Sequence, residues 1–235
     1  MPNWVYNTIE IKGKRNDIEK LFDSITNGKS IIDFSKIILV PECIQKCPPL
    51  SGQAADTACQ FVEECEKNNI DPFVLLEHNE LPDYVLQEKK YWEKEQERLL
   101  AKTKSENIND EINAEYKETY SLDFNDIFKN YITCIKETGC VDWYTWNVDN
   151  WGCKWNASRA RREGDVIYFE TPWSPPFPIF KALAKQHPNV VLKIYIENEC
   201  DYDTEVFEFR FNKETNEVEE NFIETIEYKH EESEE

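Results

Sequence analysis

Hydrophobic and polar residues alternate near both ends of the chain, which is typical of β-strands that bury one face. The predicted strands cover residues 3–12, 31–40, 166–171, 190–196, 205–212 and 217–228. Apolar residues at three- and four-residue spacing predict two helices between them, one capped by Asn16 or Asp17 and one beginning at Phe177. The repeated order strand–helix–strand is the split βαβ arrangement of ferredoxin-like folds. We therefore expect an α+β, ferredoxin-like body with a C-terminal β-hairpin extension.

The middle of the chain has a different pattern. Residues 53–130 contain few strand formers, and they predict polar, acidic helices at 53–67, 82–103 and 111–119. The middle helix has only a partial apolar stripe, so we expect an acidic helical insertion that protrudes from the body. The predicted domains are a body of residues 1–52 and 131–228, an insertion of residues 53–130 and a charged tail of residues 229–235.

Tryptophan is concentrated between positions 143 and 155, where four of the chain's seven tryptophans lie. A helix from about Val141 places Trp143 and Trp146 one turn apart, and Gly152 is suited to end this helix in the left-handed conformation. Such stripes are typical of a core. We expect structural aromatics, packing helix against sheet, at Trp143, Trp146, Trp151, Trp155 and Trp173. The alternative is an exposed platform for bases or for a partner protein.

Three separated aromatic blocks resemble one known family. They are Met-Pro-Asn-Trp-Val-Tyr-Asn at the start, Trp-Tyr-x-Trp-x-x-x-Asn-Trp-Gly-x-Lys-Trp-Asn-Ala over residues 143–157, and Phe-Glu-Thr-Pro-Trp-Ser-Pro-Pro-Phe-Pro from Phe169. Together they look like the YubB ferredoxin-like family, over residues 1–40 and 131–200. The resemblance implies a ferredoxin-like topology without an iron–sulfur cluster, and an origin on phages, plasmids or other mobile elements. It implies no established biochemical activity.

The net charge of −20 is concentrated in two segments of the chain. Residues 53–130 carry 19 acidic and 9 basic side chains, and residues 197–235 carry 16 acidic and 3 basic side chains. Such a field repels nucleic acid and membranes, and it attracts basic protein surfaces. The alternative is that the acidic residues only keep the surface soluble.

Signatures of catalysis are weak in this sequence. Its three histidines fit no metalloprotease or deaminase pattern, and it contains no glycine-rich phosphate loop or nucleophile elbow. The pairs Cys43/Cys47 and Cys59/Cys65 lack the two-residue knuckles of structural zinc sites. We therefore expect no enzymatic activity, no metal and no cofactor. A carboxylate- or metal-dependent hydrolase is an alternative only where carboxylates converge in the fold.

These patterns lead to the hypothesis of a non-catalytic, phage-like binding protein. It would inhibit a host nucleic-acid-binding or defence complex, for example of the CRISPR type, by occupying a basic surface. The expected partner contacts are Glu63, Glu64, Glu66, Asp201, Asp203, Glu217, Glu219 and Glu220. The alternative is a single-stranded nucleic-acid-binding protein that uses the basic cluster Arg159, Arg161 and Arg162 beside an aromatic platform. Neither a signal-peptide profile nor a membrane-spanning apolar run is present, so we expect a cytoplasmic location.

Overall fold

The computed structural model describes residues 2–47, 52–105, 123–199 and 203–227. Its strands are β1 (Trp4–Lys12), β2 (Ser158–Glu163), β3 (Val166–Pro172), β4 (Val191–Asn198), β5 (Asp203–Asn212) and β6 (Glu217–Glu227). Its helices are α1 (Arg15–Ile25), α2 (Phe34–Ile37), α3 (Glu42–Lys46), α4 (Gly52–Lys67), α5 (Pro72–Glu77), α6 (Asp83–Ser105), α7 (Phe124–Thr138), α8 (Trp143–Trp151) and α9 (Phe177–Gln186). The chain divides into a sheet unit, Met1–Val40 with Asn147–Glu235, and a helical unit, Pro41–Trp146.

The sheet unit is built on a six-stranded antiparallel sheet of order β2-β3-β1-β4-β5-β6. Its first four strands follow the ferredoxin-like order, and the β5–β6 hairpin extends the sheet beyond β4. At the centre, Ile9 of β1 lies opposite Ile167 of β3 and Ile194 of β4, and all three side chains are fully buried. The α+β, ferredoxin-like class predicted from the sequence is confirmed.

The sheet has one helix-covered face and one open face, because successive residues of a strand point to opposite sides. The open face is closed at β5, where Thr204 and Val206 are buried. In β1, Val5 and Ile9 are buried, whereas Tyr6 is exposed on the other side. Phe180 of α9 contacts Phe209 of β5 on the covered face, with ring centres 5.7 Å apart. The core of this unit therefore lies between the sheet and its helices.

The prediction of a strand over residues 31–40 is wrong. These residues contain the one-turn helix α2, which Asp33 caps by accepting a hydrogen bond from the Ser35 backbone N–H. The second strand of the ferredoxin-like order is instead β2, which follows the helical unit in the chain. Its sequence, Ser-Arg-Ala-Arg-Arg-Glu, lies at a sheet edge and lacks the hydrophobic alternation that marks a strand.

The helical unit buries an aromatic core of its own. Phe128 of α7 contacts Phe61 of α4 at 5.6 Å and stacks on Phe124 at 5.2 Å between ring centres. Tyr131 is also buried, as is Trp92 of α6. The partial apolar stripe seen in the sequence is thus enough to hold α4, α6 and α7 together.

The helical unit extends further than the predicted insertion at both ends. It begins at Pro41 and ends at Trp146, rather than spanning residues 53–130. The difference arises because α3 packs on α7, with Ile44 and Cys47 buried in this unit. The predicted helix 111–119 and charged tail 229–235 lie outside the described residues. None of the described helices combines the length and the apolar character needed to cross a bilayer.

Candidate functional site

The carboxylates predicted to contact a partner are divided between the two units. On α4 of the helical unit lie Glu63, Glu64 and Glu66. On the β5–β6 hairpin of the sheet unit lie Asp203, Glu217, Glu219 and Glu220. Asp201 lies outside the described residues. The hairpin therefore gathers one part of the predicted set on a single supersecondary element.

Two of the α4 carboxylates have partners within the helical unit. Glu64 accepts hydrogen bonds from Gln60 Nε2 at 2.9 Å and from Tyr84 Oη at 2.8 Å, and these lower the pKa of Glu64. Glu63 Oε2 lies 3.6 Å from Lys67 Nζ in an exposed pair one helical turn apart. Glu66 is exposed. Part of the α4 charge is thus used to hold the helical unit together.

On β6, two of the predicted carboxylates also have neighbours. Glu219 accepts hydrogen bonds from Asn212 Nδ2 at 2.6 Å and from Arg210 Nε at 2.5 Å, and these lower the pKa of Glu219. Glu220 pairs with Lys181 of α9 at 2.7 Å. Glu217 is exposed at the start of the strand. Residues 203–227 contain nine acidic and two basic side chains, so these pairs leave the hairpin strongly negative.

The hairpin also exposes two large apolar side chains that sequence reasoning missed. Phe222 is 57% exposed and Ile223 is 47% exposed on β6. Phe222 ends a series of ring contacts that starts at buried Phe180, with ring centres 6.0 Å apart from Phe180 to Phe177, 5.1 Å from Phe177 to Phe207 and 5.4 Å from Phe207 to Phe222. We call Phe222 and Ile223 the Phe222 patch. The sequence signal for it is a Phe-Ile pair inside an otherwise polar strand.

The Phe222 patch coincides with an irregularity in the β5–β6 ladder. Val206 pairs with Glu224 and Phe207 pairs with Phe222, so Ile223 has no opposing residue on β5. Such a β-bulge bends the strand and redirects its side chains. β6 is the last strand in the sheet order, so its outer edge carries backbone groups with no neighbouring strand among the described residues.

The predicted structural aromatics fall into two groups. Trp146 and Trp151 of α8 are buried, and the Trp151 ring meets Phe34 edge to face at 5.7 Å. Trp143 is half-buried. Gly152 follows α8 with φ +83°, so the predicted left-handed helix end is confirmed.

Trp155 and Trp173 differ from the expectation of helix–sheet packing. They are 40% and 51% exposed, and their ring centres lie 5.6 Å apart. Lys154 Nζ lies 4.8 Å from the Trp155 ring centre and 5.3 Å from that of Trp173. The reason is their position: both follow the end of an ordered element, and Trp173 adopts a φ of +64° where its N–H donates to the Asn3 carbonyl.

The three arginines predicted as an alternative nucleic-acid contact do not share one environment. Arg159 pairs with Glu170 at 3.1 Å. Arg161 places its guanidinium carbon 4.1 Å from the ring centre of Tyr168 and pairs with an exposed glutamate. Arg162 instead lies over the Phe22 ring of α1 and pairs with Glu19. Arg159 and Arg161 thus belong to a different surface from Arg162.

That surface is the open face of the sheet, and tyrosines lie on it. The register places Thr8 of β1 between Tyr168 of β3 and Tyr195 of β4 in one cross-strand row, and Tyr6 lies in the next row. We call this the tyrosine face. A depression of about 280 Å³ on it is lined by Tyr6, Thr8, Arg159, Arg161, Tyr168, Glu170 and Glu197, among others. The sequence alone does not reveal it, because the register of β1, β3 and β4 brings the tyrosines together and the unpredicted β2 adds the arginines.

The cysteines of the helical unit include a group of buried thiols. Cys134 of α7 lies against Cys43 of α3 and against Cys47, which directly follows α3. Its hydrogen bond with Cys47 together with burial raises the pKa of Cys134. All cysteines in the described part of the chain are free thiols. Over those same residues, no group of three or more His, Cys, Asp or Glu side chains has the geometry of a metal site.

A family model supports the fold of the C-terminal region. Residues 150–235 match a family model described as a ferredoxin-like domain in Api92-like protein. The crystal structure of protein api92 from Yersinia pseudotuberculosis is similar at a TM-score of 0.41 and 9% identity, covering 97% of this chain and 100% of that chain. No curated protein matches this chain. The C-terminal region is thus ferredoxin-like, and membership of the YubB family stays a prediction.

Proposed function

We propose that this protein is a non-catalytic binding protein whose β5–β6 hairpin engages a basic partner protein. The observation that carries the proposal is the Phe222 patch, an aromatic side chain 57% exposed at the end of a ring series rooted in the core. Isolated exposed apolar residues are common on protein surfaces. A rigidly supported aromatic beside a second apolar side chain is instead typical of an interface centre.

The charge around the Phe222 patch indicates the chemistry of the partner. Glu220 and Glu224 each lie two residues from Phe222 along β6, and Glu217 and Glu227 lie at the two ends of the strand. Interfaces commonly surround an apolar centre with a polar rim. A carboxylate rim selects a partner with lysines or arginines around an apolar pocket, and it accelerates the encounter between them.

A partner of this kind is a protein that uses a basic surface for nucleic acid. The proposal is that the acidic hairpin occupies that surface and so inhibits a host nucleic-acid-binding or defence complex, for example of the CRISPR type, in the cytoplasm. Support comes from the negative charge of residues 203–227 and from the sequence resemblance to a protein family that is found on mobile elements. The exposed Glu66 of α4 adds an acidic surface on the helical unit.

The experiment is quantitative affinity capture from host lysate with paired variants. Phe222→Ala removes the apolar centre, and Leu39→Ala is its control, because Leu39 is 77% exposed in the same unit. Glu224→Gln removes a rim charge, and Asp23→Asn on α1 is its control. Each capture is divided into nuclease-treated and untreated halves.

The proposal predicts a basic protein that the wild type, Leu39→Ala and Asp23→Asn retain in both halves. Loss of an interface centre typically costs about 2 kcal/mol or more, so recovery with Phe222→Ala falls about 30-fold or more. Recovery with Glu224→Gln falls less, and the difference shrinks at high salt. Equal recovery by Phe222→Ala and the wild type, or recovery only in the untreated half, would overturn the proposal.

A further inference from the structure

The tyrosine face combines aromatic rings with neighbouring basic side chains, the two features that proteins use to bind single-stranded nucleic acid. Tyr168 and Tyr195 flank Thr8 in one row, and Tyr6 lies two residues along β1, so three rings share one side of the sheet. Tyr6 is 41% exposed, and the other two rings are half-buried. Rings held on a sheet present flat stacking surfaces for unpaired bases, and this is how several sheet-based RNA-binding modules work.

Basic side chains border these rings. The Arg161 guanidinium lies over Tyr168 at 4.1 Å, and Lys193 Nζ lies 5.0 Å from the Tyr195 ring centre. Arg159 lines the same depression, where Glu170 is its partner. A cation next to a stacking ring holds a phosphate close to the base that the ring supports. Glu170 and Glu197 lie opposite Tyr6 on the two neighbouring strands, and Glu163 pairs with Arg161, so the site favours the flat faces of bases over a dense array of phosphates.

Trp155 and Trp173 form a second exposed aromatic pair in the sheet unit, three residues before β2 and directly after β3 respectively. Ser158 of β2 pairs with Glu170 of β3, and the two tryptophans lie just beyond this end of the two strands. Lys154 sits over both indole rings.

The net charge of −20 does not exclude this site. Charges act over about 8 Å at physiological ionic strength, because salt screens them. β6 is four strands away from β3 in the sheet order, which corresponds to about 19 Å at the usual spacing between strands. The acidic hairpin therefore contributes little to the potential at Tyr168 and Arg161. Tyr195 and Lys193 of β4 lie next to β5, and the carboxylates of Glu10 and Glu224 act on Lys193, so the phosphate contacts are assigned to the β2–β3 side of the face.

We propose that the tyrosine face binds single-stranded nucleic acid, with unpaired bases stacked on Tyr6, Tyr168 and Tyr195 and phosphates held by Arg159 and Arg161. A duplex is excluded because its base faces are already stacked. This site is separate from the Phe222 patch, and it does not depend on the proposed protein partner.

The test is a fluorescence-anisotropy titration of the full chain with labelled oligouridine, oligothymidine and a DNA duplex. Tyr168→Ala removes a stacking ring and Arg161→Ala removes a cation, whereas Tyr91→Ala is the control, because Tyr91 is an exposed tyrosine of the helical unit. Thermal unfolding checks that each variant is folded. The two single strands distinguish RNA from DNA as the preferred ligand.

The proposal predicts binding of at least one single strand and weaker binding of the duplex. Loss of one stacking ring costs about tenfold in affinity, so Tyr168→Ala weakens binding by about that factor, and Tyr91→Ala leaves it unchanged. Arg161→Ala weakens binding and reduces its salt dependence. Three results would overturn the proposal: no binding at low salt, equal binding of duplex and single strand, or equal binding by a folded Tyr168→Ala variant and the wild type.

Discussion

Asn156 donates a hydrogen bond from its side-chain amide to the Asp33 carboxylate at a distance of 2.7 Å. The same carboxylate caps α2 through Ser35 and accepts from Asn27 at 2.7 Å. Asn156 Oδ1 in turn accepts from the Phe34 backbone N–H at 2.9 Å. The segment before α2 and the segment after α8 are thereby joined within the sheet unit.

The Asp33–Asn156 contact predicts a specific loss of stability. Asp33→Ala leaves the amides of Asn27 and Asn156 without their acceptor and removes the cap of α2, so the free energy of unfolding falls by about 2–4 kcal/mol. Asp33→Asn keeps an oxygen for the Ser35 N–H and costs less. Urea denaturation of the three proteins measures this order, and an Asp33→Ala variant as stable as the wild type would contradict it.

The same carboxylate predicts a dependence on pH. Burial acts to raise the pKa of Asp33, but hydrogen bonds from Ser35, Asn156 and Asn27 outweigh burial and lower the pKa below its ordinary value of 3.8. The charged form is thus favoured in the folded state. Its stabilisation is complete above pH 3.8 and is lost as the pH falls through the folded-state pKa. The stability gap between the wild type and Asp33→Asn narrows over that range, and a constant gap would argue against this role.

Glu88 predicts the opposite dependence in the helical unit. It is 4% exposed on α6, and burial raises the pKa of Glu88 above its ordinary value of 4.5. The folded state therefore favours the neutral acid, and stability falls as the pH rises from 4.5 through the raised pKa. Glu88→Gln removes the charge, so it stabilises the protein by about 1 kcal/mol at neutral pH.

Exposed Glu93 on the same helix is the matched control for Glu88. Glu93→Gln is expected to leave the pH profile of thermal unfolding unchanged, since surface charges contribute little. If Glu88→Gln instead lowers the stability at neutral pH, the Glu88 carboxylate has a stabilising contact and the prediction is wrong.

Alanine substitutions at Gly152 and Gly28 separate the cost of a steric clash from the cost of backbone strain. Both have positive φ, +83° and +80°. A Cβ on Gly152 would lie 2.8 Å from Pro178 Cδ and 3.2 Å from the Pro175 carbonyl oxygen, whereas one on Gly28 meets nothing within 4 Å. Gly28→Ala should cost about 1 kcal/mol, and Gly152→Ala about 2–4 kcal/mol, because the proline turn must also move. Equal losses of unfolding free energy for the two variants in urea denaturation would contradict the close approach of Gly152 to Pro175 and Pro178.

The ferredoxin-like topology was predictable because most of its elements carry a strong pattern. β1, β3, β4 and α9 bury one face each, and their periodicity marks them clearly. β2 escaped prediction because it is an edge strand with no fully buried residue. Its sequence therefore shows no hydrophobic alternation. Residues 31–40 were wrongly predicted as a strand because their apolar residues belong to the short helix α2 and the segments on either side of it.

The candidate surfaces were predictable only in part. The acidity of β6 is visible in the composition, but the exposure of Phe222 depends on the bulge at Ile223 and on the absence of a seventh strand from the described sheet. The tyrosine face brings Tyr6 and Tyr168 together from distant parts of the chain. Such a surface becomes visible only when the register between the strands is known. That register cannot be read from a single sequence.

Site-specific photo-crosslinking tests the central claim most directly. Benzoylphenylalanine replaces Phe222 in one protein and Leu39 in a second, and both are irradiated in host cells. If the acidic hairpin engages a basic protein, position 222 crosslinks to a basic protein that position 39 does not reach, and Glu224→Gln reduces the yield. The same products from both positions, or crosslinks from position 222 only to acidic or neutral proteins, would contradict the proposed role of the acidic hairpin.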